Sequence, residues 1–406
     1  MRRIALVHYS APPVVGGVES VLAQHARLMA DAGHSVQIVA GRGAQFDARI
    51  PFAGVPLADS RHPDVLAAKA ELDGGRVPPR FARLVSTLTG ALRESLADAD
   101  VVIVHNVCSL HKNLALTAAL RDYHDRASAV RLILWHHDLA WTTPRYRAEL
   151  HDGYPWDLLR RGWPGVKHVA VSESRRGELA ELMGLSPEAI TVIPSGVDAA
   201  AFFKLEPQTR EFVTRLRLLE AEPLLLLPVR ITPRKNIELA LRTLAALRET
   251  FSTAMLVVSG PPGPHNPANA AYFARLKALR AELGLTGWAH FLAELTGEYL
   301  PDEVIADLYR LADALLMPSR EEGFGIPIIE AGLARLPVFC ADIPPLRALG
   351  EGQATYFSPD GDPREIAGLI VDRLASDRDH RLAVRIRREY LWEQVYTQRI
   401  APLLES

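Results

Sequence analysis

The sequence predicts an α/β protein of two domains, each a parallel β-sheet wound with helices on both faces. Three observations predict it. Short apolar runs alternate with longer amphipathic stretches from one end of the chain to the other, which is the pattern of right-handed βαβ units and hence of parallel strands. The 406 residues exceed what one ordinary core holds, at roughly 150 residues per domain. The rhythm also pauses once, in the turn-rich Pro194-Ser195-Gly196-Val197-Asp198, and then restarts, so the domains join near residue 200.

Each element follows from its local pattern. Ile4 to Val7 reads as the first strand, and a loop containing Pro12, Pro13, Gly16 and Gly17 follows it. Val18, Val21, Leu22, His25, Leu28 and Met29 then recur at helical spacing until Gly33 ends the helix. Val36 to Val39, Val101 to Val104, Leu132 to Leu134, Val169 to Val171 and Thr191 to Ile193 are further strands. In the second half Leu224 to Val229 is apolar throughout, as a strand covered on both faces must be. A helix from Asn236 to about Thr250, a strand Met255 to Val258 and a helix near Ala268 to Leu283 come next. Strands at His290 to Leu292, Ala314 to Met317, Val338 to Cys340 and Thr355 to Phe357 precede one or two helices over His380 to Leu404.

Composition excludes several classes. Hydrophobic residues at 48% and charged residues at 23% mark a folded globular chain. A formal charge of −2 supplies no basic field for nucleic acid. Cys108 and Cys340 lie far apart beside apolar runs, which is the usage of buried thiols in a cytoplasmic protein. No run approaches the ~18 apolar residues of a spanning helix, so a cytoplasmic location is expected, with peripheral membrane contact left open. No Cys/His cluster has zinc spacing. Asp98-Ala99-Asp100 precedes a strand and reads as a solvated turn, so no metal site is expected.

In open parallel sheets, ligands sit beyond the carboxyl ends of strands, and two such domains facing one another make a cleft. The loops that follow strands therefore hold the candidates. The most specific is Pro318-Ser319-Arg320-Glu321-Glu322-Gly323-Phe324-Gly325-Ile326-Pro327-Ile328-Ile329-Glu330-Ala331. It leaves a strand, crosses a glycine loop and enters a helix with Pro327 in its first turn. The N–H groups of Phe324, Gly325 and Ile326 would face a phosphate at a positive helix terminus. Glu330, set among Ile328, Ile329, Ala331 and Leu333, needs a partner, and paired ribose hydroxyls would serve.

With its two glutamates eight positions apart around Gly-Phe-Gly, this segment resembles the Glu-x7-Glu motif of retaining GT-B glycosyltransferases of the family 4 (glycosyltransferase group 1) type. The resemblance covers nearly the whole chain. Gly16-Gly17-Val18-Glu19 resembles that family's N-terminal glycine loop, and Pro194-Ser195-Gly196-Val197-Asp198 its interdomain segment, with Ser195 replacing the usual Asn. Trp392 resembles a tryptophan of its last helix. The implied fold is GT-B: two Rossmann-like domains facing across a cleft, 1–198 on the acceptor side and 199–385 binding the nucleotide sugar, with a helix from about 386 to 406 crossing back.

The implied activity is transfer of a hexosyl group, with retention, from a nucleotide-diphosphate sugar of UDP, GDP or ADP type to a small-molecule, glycan or glycolipid acceptor. No further cofactor is expected. The resemblance puts the diphosphate-binding cations at Arg230 and Lys235 in Val229-Arg230-Ile231-Thr232-Pro233-Arg234-Lys235-Asn236, where a metal-free enzyme would neutralise the leaving group. Glu322 would hold hexose hydroxyls, Gly16 and Gly17 would admit phosphate or acceptor, and Gly260 in Gly260-Pro261-Pro262-Gly263 would form the cleft wall. Trp135-His136-His137-Asp138 carries the sugar-pocket histidine, His137 fitting better than His136 because Asp138 follows it. His105, at a strand end, either faces the cleft or is a satisfied polar residue at a sheet edge. Trp141, Tyr146, Tyr154, Trp156 and Trp163 are either an acceptor wall or packing. A sugar-nucleotide epimerase or hydrolase and a non-catalytic binder share this architecture. A dinucleotide oxidoreductase is disfavoured, since Gly-x-Gly-x-x-Gly is missing after the first strand.

Overall fold

The computed structural model describes residues 1–126, 130–262, 268–297 and 299–405. Its packing divides the chain into two units. The first runs from Met1 to Val197 and takes back the chain from Tyr390 onward, and the second is Asp198–Glu389.

The first unit is built on β1 (Arg3–Ser10), β2 (Ser35–Arg42), β3 (Phe52–Gly54), β4 (Val101–His105), β5 (Arg131–His136), β6 (Lys167–Ala170) and β7 (Ile190–Val192). They form one sheet in the order β3-β2-β1-β4-β5-β6-β7, with every pairing parallel. Alternate residues of β1 enter opposite cores: Ala5, Val7 and Tyr9 join one cluster, Ile4 and Leu6 the other. The edge strand β3 was not anticipated from the sequence. Phe-Ala-Gly is only half-buried and has no apolar run to betray it.

The returning chain completes the second of these cores. Trp392, Val395, Tyr396, Ile400, Leu403 and Leu404 share it with Leu6, Leu22 and Met29. The segment is pinned by a one-residue parallel bridge, Val197 N to Tyr390 O at 2.7 Å and Trp392 N to Val197 O at 3.2 Å. It does not begin as one long helix at 386. Arg378–Glu389 ends the second unit, and after a break at Tyr390 and Leu391 the returning part is one continuous helical run from Trp392 to Glu405, with a wider π-helical stretch over Tyr396–Ile400. Gly196 is glycine for steric reasons, since a Cβ there would lie 2.7 Å from Trp392 Cδ2.

The second unit is built on β8 (Leu224–Leu227), β9 (Met255–Val258), β10 (Ala289–Phe291), β11 (Ala314–Met317), β12 (Val338–Ala341) and β13 (Thr355–Phe357). Their order is β10-β9-β8-β11-β12-β13, again all parallel. Leu225 and Leu227 face one core and Leu224 and Leu226 the other, which is why β8 is apolar at every position. In both sheets the chain winds outward in two directions from one central pair, β1/β4 in the first and β8/β11 in the second. A crevice opens beyond the carboxyl ends of such a pair, where the two following loops diverge. Among the described residues no helix is long and apolar enough to cross a membrane, and both cysteines are free and buried.

Candidate functional site

Beyond β8 and β11 backbone and side-chain contacts join the two loops to one another and to the segment after β13. Arg320 N donates to Arg234 O at 2.8 Å. Asn236 Nδ2 donates to Pro318 O at 3.0 Å and to Pro359 O at 2.8 Å. Lys235 Nζ meets Glu322 Oε1 at 2.6 Å, with the two side chains only 10% and 7% exposed. Asn236 makes this possible by turning the chain with φ at 52°, a left-handed conformation that asparagine tolerates better than most residues. Burial pushes the Lys235 ammonium below its ordinary value, and the Glu322 carboxylate opposes that shift. Sequence reading took Asn236 only as a helix start. The side chain that ties the two loops was the signal missed.

Arg230 is exposed, with its guanidinium 5.3 Å from the centre of the Tyr299 ring. Gly260 lets the loop after β9 run against the one after β8, because a Cβ there would lie 2.4 Å from Val229 O. Ile231 N donates to Pro261 O at 3.0 Å across the same contact. Gly263, the last glycine of that turn, lies outside the described residues.

The helix after β11, Ile326–Leu333, starts at Gly325 with no side chain capping it and Pro327 in its first turn. Gly325 is required twice over, by φ at +107° and by Leu346 Cδ2, which a Cβ would approach to 2.7 Å. Gly323 has open space instead. Phe324 and Ile326 are more than half exposed. Glu330 has a partner from the chain itself: the buried Tyr309 hydroxyl donates to its Oε2 at 2.6 Å. Burial, with that bond, pushes the Tyr309 hydroxyl well above its ordinary value. The carboxylate is thus held by one oxygen, and Tyr309 is a positioning group that no local pattern disclosed.

In the first unit the groups gather beyond β1, β4 and β5. Asn106, with φ at 59°, is the hub. Its Oδ1 accepts from His137 N at 3.1 Å and Asp138 N at 2.9 Å, and its Nδ2 donates to Asp138 Oδ2 at 3.1 Å. The two candidate histidines separate cleanly. His136 is 1% exposed and pairs with His168 at 3.0 Å, whereas His137 keeps a partly open side. His105 does not face solvent at all: it is 0% exposed, covered by His25 and Trp135, and its Nδ1 lies 3.2 Å from His137 Nε2. It therefore cannot reach a ligand directly. Burial, followed by the nearby His8, brings His137 down to about 4.

The loop with Gly16 and Gly17 carries its own anion. Ser10 Oγ donates to Glu19 Oε1 at 2.6 Å, and a Cβ on Gly16 would meet Glu19 Oε2 at 2.1 Å. The positive start of helix Gly17–Asp31 is matched by that carboxylate, so a phosphate reaching Gly16 would meet a like charge. Gly17 is unencumbered. Of the aromatic cluster, Trp156 and Trp163 are core residues, and Trp141 and Tyr146 pack against the same core. Tyr154 alone is mostly exposed. Asp100 pairs with Arg3 at 2.8 Å as a surface ion pair. Among the described residues one group, Asp73, His111 and Glu149, brings ligand-type atoms within 4.8 Å. Lys69 Nζ sits at 2.6 Å from Asp73 and 2.8 Å from Glu149, so an ammonium already neutralises these carboxylates.

Comparison with known proteins assigns a family to each half of the chain. The model for "Glycosyltransferase Family 4" matches residues 15–201, and that for "Glycosyl transferases group 1" matches 209–389. A GDP-mannose-dependent alpha-(1-6)-phosphatidylinositol monomannoside mannosyltransferase of Mycobacterium tuberculosis is 26% identical over 93% of this chain and 87% of its own length. A D-inositol 3-phosphate glycosyltransferase of Thermobispora bispora is 28% identical over 94% and 88%. Among solved structures, a sucrose-phosphate synthase of Thermosynechococcus elongatus aligns with 100% of this chain and 98% of its own at 17% identity and a TM-score of 0.39. With the two family models following one another along nearly the whole sequence, one on each Rossmann-like unit, the chain belongs to the group 1 glycosyl transferases of family 4 and is a glycosyltransferase of GT-B type.

Proposed function

We propose that this glycosyltransferase moves a hexosyl group from a nucleotide-diphosphate sugar to a hydroxyl acceptor with retention of anomeric configuration. The observation that carries the reading is the buried Lys235–Glu322 pair at 2.6 Å, beyond β8 and β11 and one short loop from the uncapped helix start at Gly325. A diphosphate leaving group gains negative charge as the glycosidic bond breaks. Lys235, Arg230 and the N–H groups of Gly325 and Ile326 are the groups to stabilise it. Glu322 holds hexose hydroxyls while anchoring Lys235, and Glu330, steadied by Tyr309, takes the ribose. In the first unit, His137 is the group offered to a sugar hydroxyl.

Retention needs no covalent enzyme intermediate if the acceptor attacks from the face the diphosphate leaves. The acceptor proton then passes to the departing phosphate oxygen, and protein cations take the place of a divalent ion. The relatives' names support a mannosyl or related hexosyl donor and an inositol-containing or glycolipid acceptor. GDP-mannose is accordingly the first donor to test.

The test is a thermal-shift panel of UDP-, GDP- and ADP-hexoses on the wild type and Glu330→Ala, followed by product analysis with inositol phosphates as acceptors. A donor at ~100 times its Kd stabilises by about 2.7 kcal/mol. One nucleotide class should raise the melting temperature of the wild type only, and transfer should survive EDTA with an α-linked product from an α-linked donor. Donor turnover without any acceptor would instead identify a hydrolase or epimerase, and binding without turnover a nucleotide-sugar sensor.

A further inference from the structure

The bonds around His105 decide which nitrogen of His137 carries hydrogen. His8 Nδ1 lies 2.7 Å from the carbonyl oxygen of His105. A carbonyl only accepts, so His8 holds its hydrogen on Nδ1. His105 Nδ1 lies 3.2 Å from His137 Nε2, and a neutral pair has one hydrogen between them. Two assignments satisfy this contact. They differ in what they leave at the far side of His105, whose Nε2 is buried with no hydrogen-bond partner.

If that hydrogen came from His137, His105 would carry its own on Nε2, and a buried donor would be stranded there. A stranded buried donor costs about 1–3 kcal/mol, and orphaned N–H groups are rarer than orphaned acceptors. With the hydrogen on His105 Nδ1, the donor is used and only a lone pair is left unmatched. His137 Nε2 is then an acceptor, and the ring's remaining hydrogen sits on Nδ1. Asn106, bonded to the N–H groups of both His137 and Asp138, holds the backbone that carries this ring.

We infer that His105 is a positioning residue that fixes His137 as the Nδ1–H tautomer, so that His137 meets a substrate oxygen as a hydrogen-bond donor and not as a base. The ligand group is a sugar hydroxyl or phosphoryl oxygen, and this part rests on the function proposed above. His105 Nδ1–H···Nε2 His137 Nδ1–H is the whole relay, with no proton moved in the resting protein. The cluster stays neutral at pH 7.5, because burial lowers His8, His25, His105 and His137 alike. The charged groups acting on it are Glu19, 3.9 Å from His8 Nε2, Lys112, which also bears on His8, and Asp138, which is held by Asn106.

Long-range ¹H–¹⁵N spectra of histidine-labelled full-length protein at pH 7.5 test the assignment, with His105→Gln and His137→Gln used to identify the two rings. The expected result is Nδ1–H for both, with His137 shifting on addition of GDP-mannose or UDP-glucose. Nε2–H on His137, or a charged ring, overturns the inference. The stated tautomer with no shift from any sugar nucleotide overturns the substrate role of His137, while the His105 assignment stands. His105→Leu, which cannot donate, should mix the His137 tautomers and lower kcat about tenfold, the loss of one ordinary hydrogen bond. His105→Gln retains a donor and should stay within about threefold. Equal losses in both variants would reduce His105 to packing.

Discussion

Replacing Lys235 with methionine tests the core of the second unit's site. Lys235→Met keeps the length of the stem and removes the charge, so Glu322 is left as a carboxylate only 7% exposed and 2.6 Å from where its partner was. Removing one member of a buried pair costs about 3–5 kcal/mol, because the remaining charge has neither water nor counter-ion. The small residual exposure of both side chains sets the expectation at the lower end, about 3 kcal/mol. Lys235→Met with Glu322→Gln removes the stranded charge and should recover stability to within about 1 kcal/mol of the wild type. Pulse-labelling hydrogen exchange across a urea series, read on peptides from 224–236 and 314–333, follows opening of this unit without averaging over the other. Turnover should fall about 100-fold in both variants, since the proposed leaving-group cation is absent from each. Wild-type stability and near-normal turnover in Lys235→Met would refute both the energetic and the mechanistic reasoning.

Four further outcomes follow from the same geometry. Gly325→Ala should lose about 2 kcal/mol through its left-handed backbone and the Leu346 contact, whereas Gly323→Ala, with open space around it, should lose less than about 0.5 kcal/mol by urea denaturation. Trp392→Ala should cost the first unit about 3–5 kcal/mol, seen as early hydrogen exchange in peptides from β1 and helix Gly17–Asp31, because its ring is 5% exposed in that core. Tyr309→Phe should lower stability by about 1.5 kcal/mol and raise the donor KM, since Glu330 loses the 2.6 Å bond that orients it. Burial brings His25 to about 3 and His168 to about 4. Both lie below the ordinary 6.5, so the unfolded chain binds these protons more readily. Their stabilisation is complete above pH 6.5 and is lost as the pH falls towards those values, about 2 kcal/mol each by pH 5. A urea midpoint unchanged between pH 7 and 5 would contradict this.

How much of the site was legible depends on where each partner comes from. Glu322, Gly325 and Pro327 stand in one stretch after a strand, and a glycine loop entering a helix announces itself within ten residues. Lys235 was legible through the resemblance of the segment that follows its strand to the family's pattern. Asn106, Asn236 and Tyr309 were not, because each acts through a bond to a residue 21 or more positions away, and a lone asparagine or tyrosine has no periodicity. His105 was legible as a strand end, but its burial was not. Its cover comes from His25 on the helix after β1 and Trp135 on β5.

By itself the sequence determined the alternation of strands and helices, the two α/β units and the loops that follow the strands. Backbone hydrogen bonding and the burial of apolar runs are local enough to be written in consecutive residues. Tertiary structure alone decided strand order, the edge strand β3, the partner of Glu330 and the orientation of the histidine cluster. Those depend on which distant segments exclude water from one another, and a buried polar atom takes whichever partner the packing brings within 3 Å.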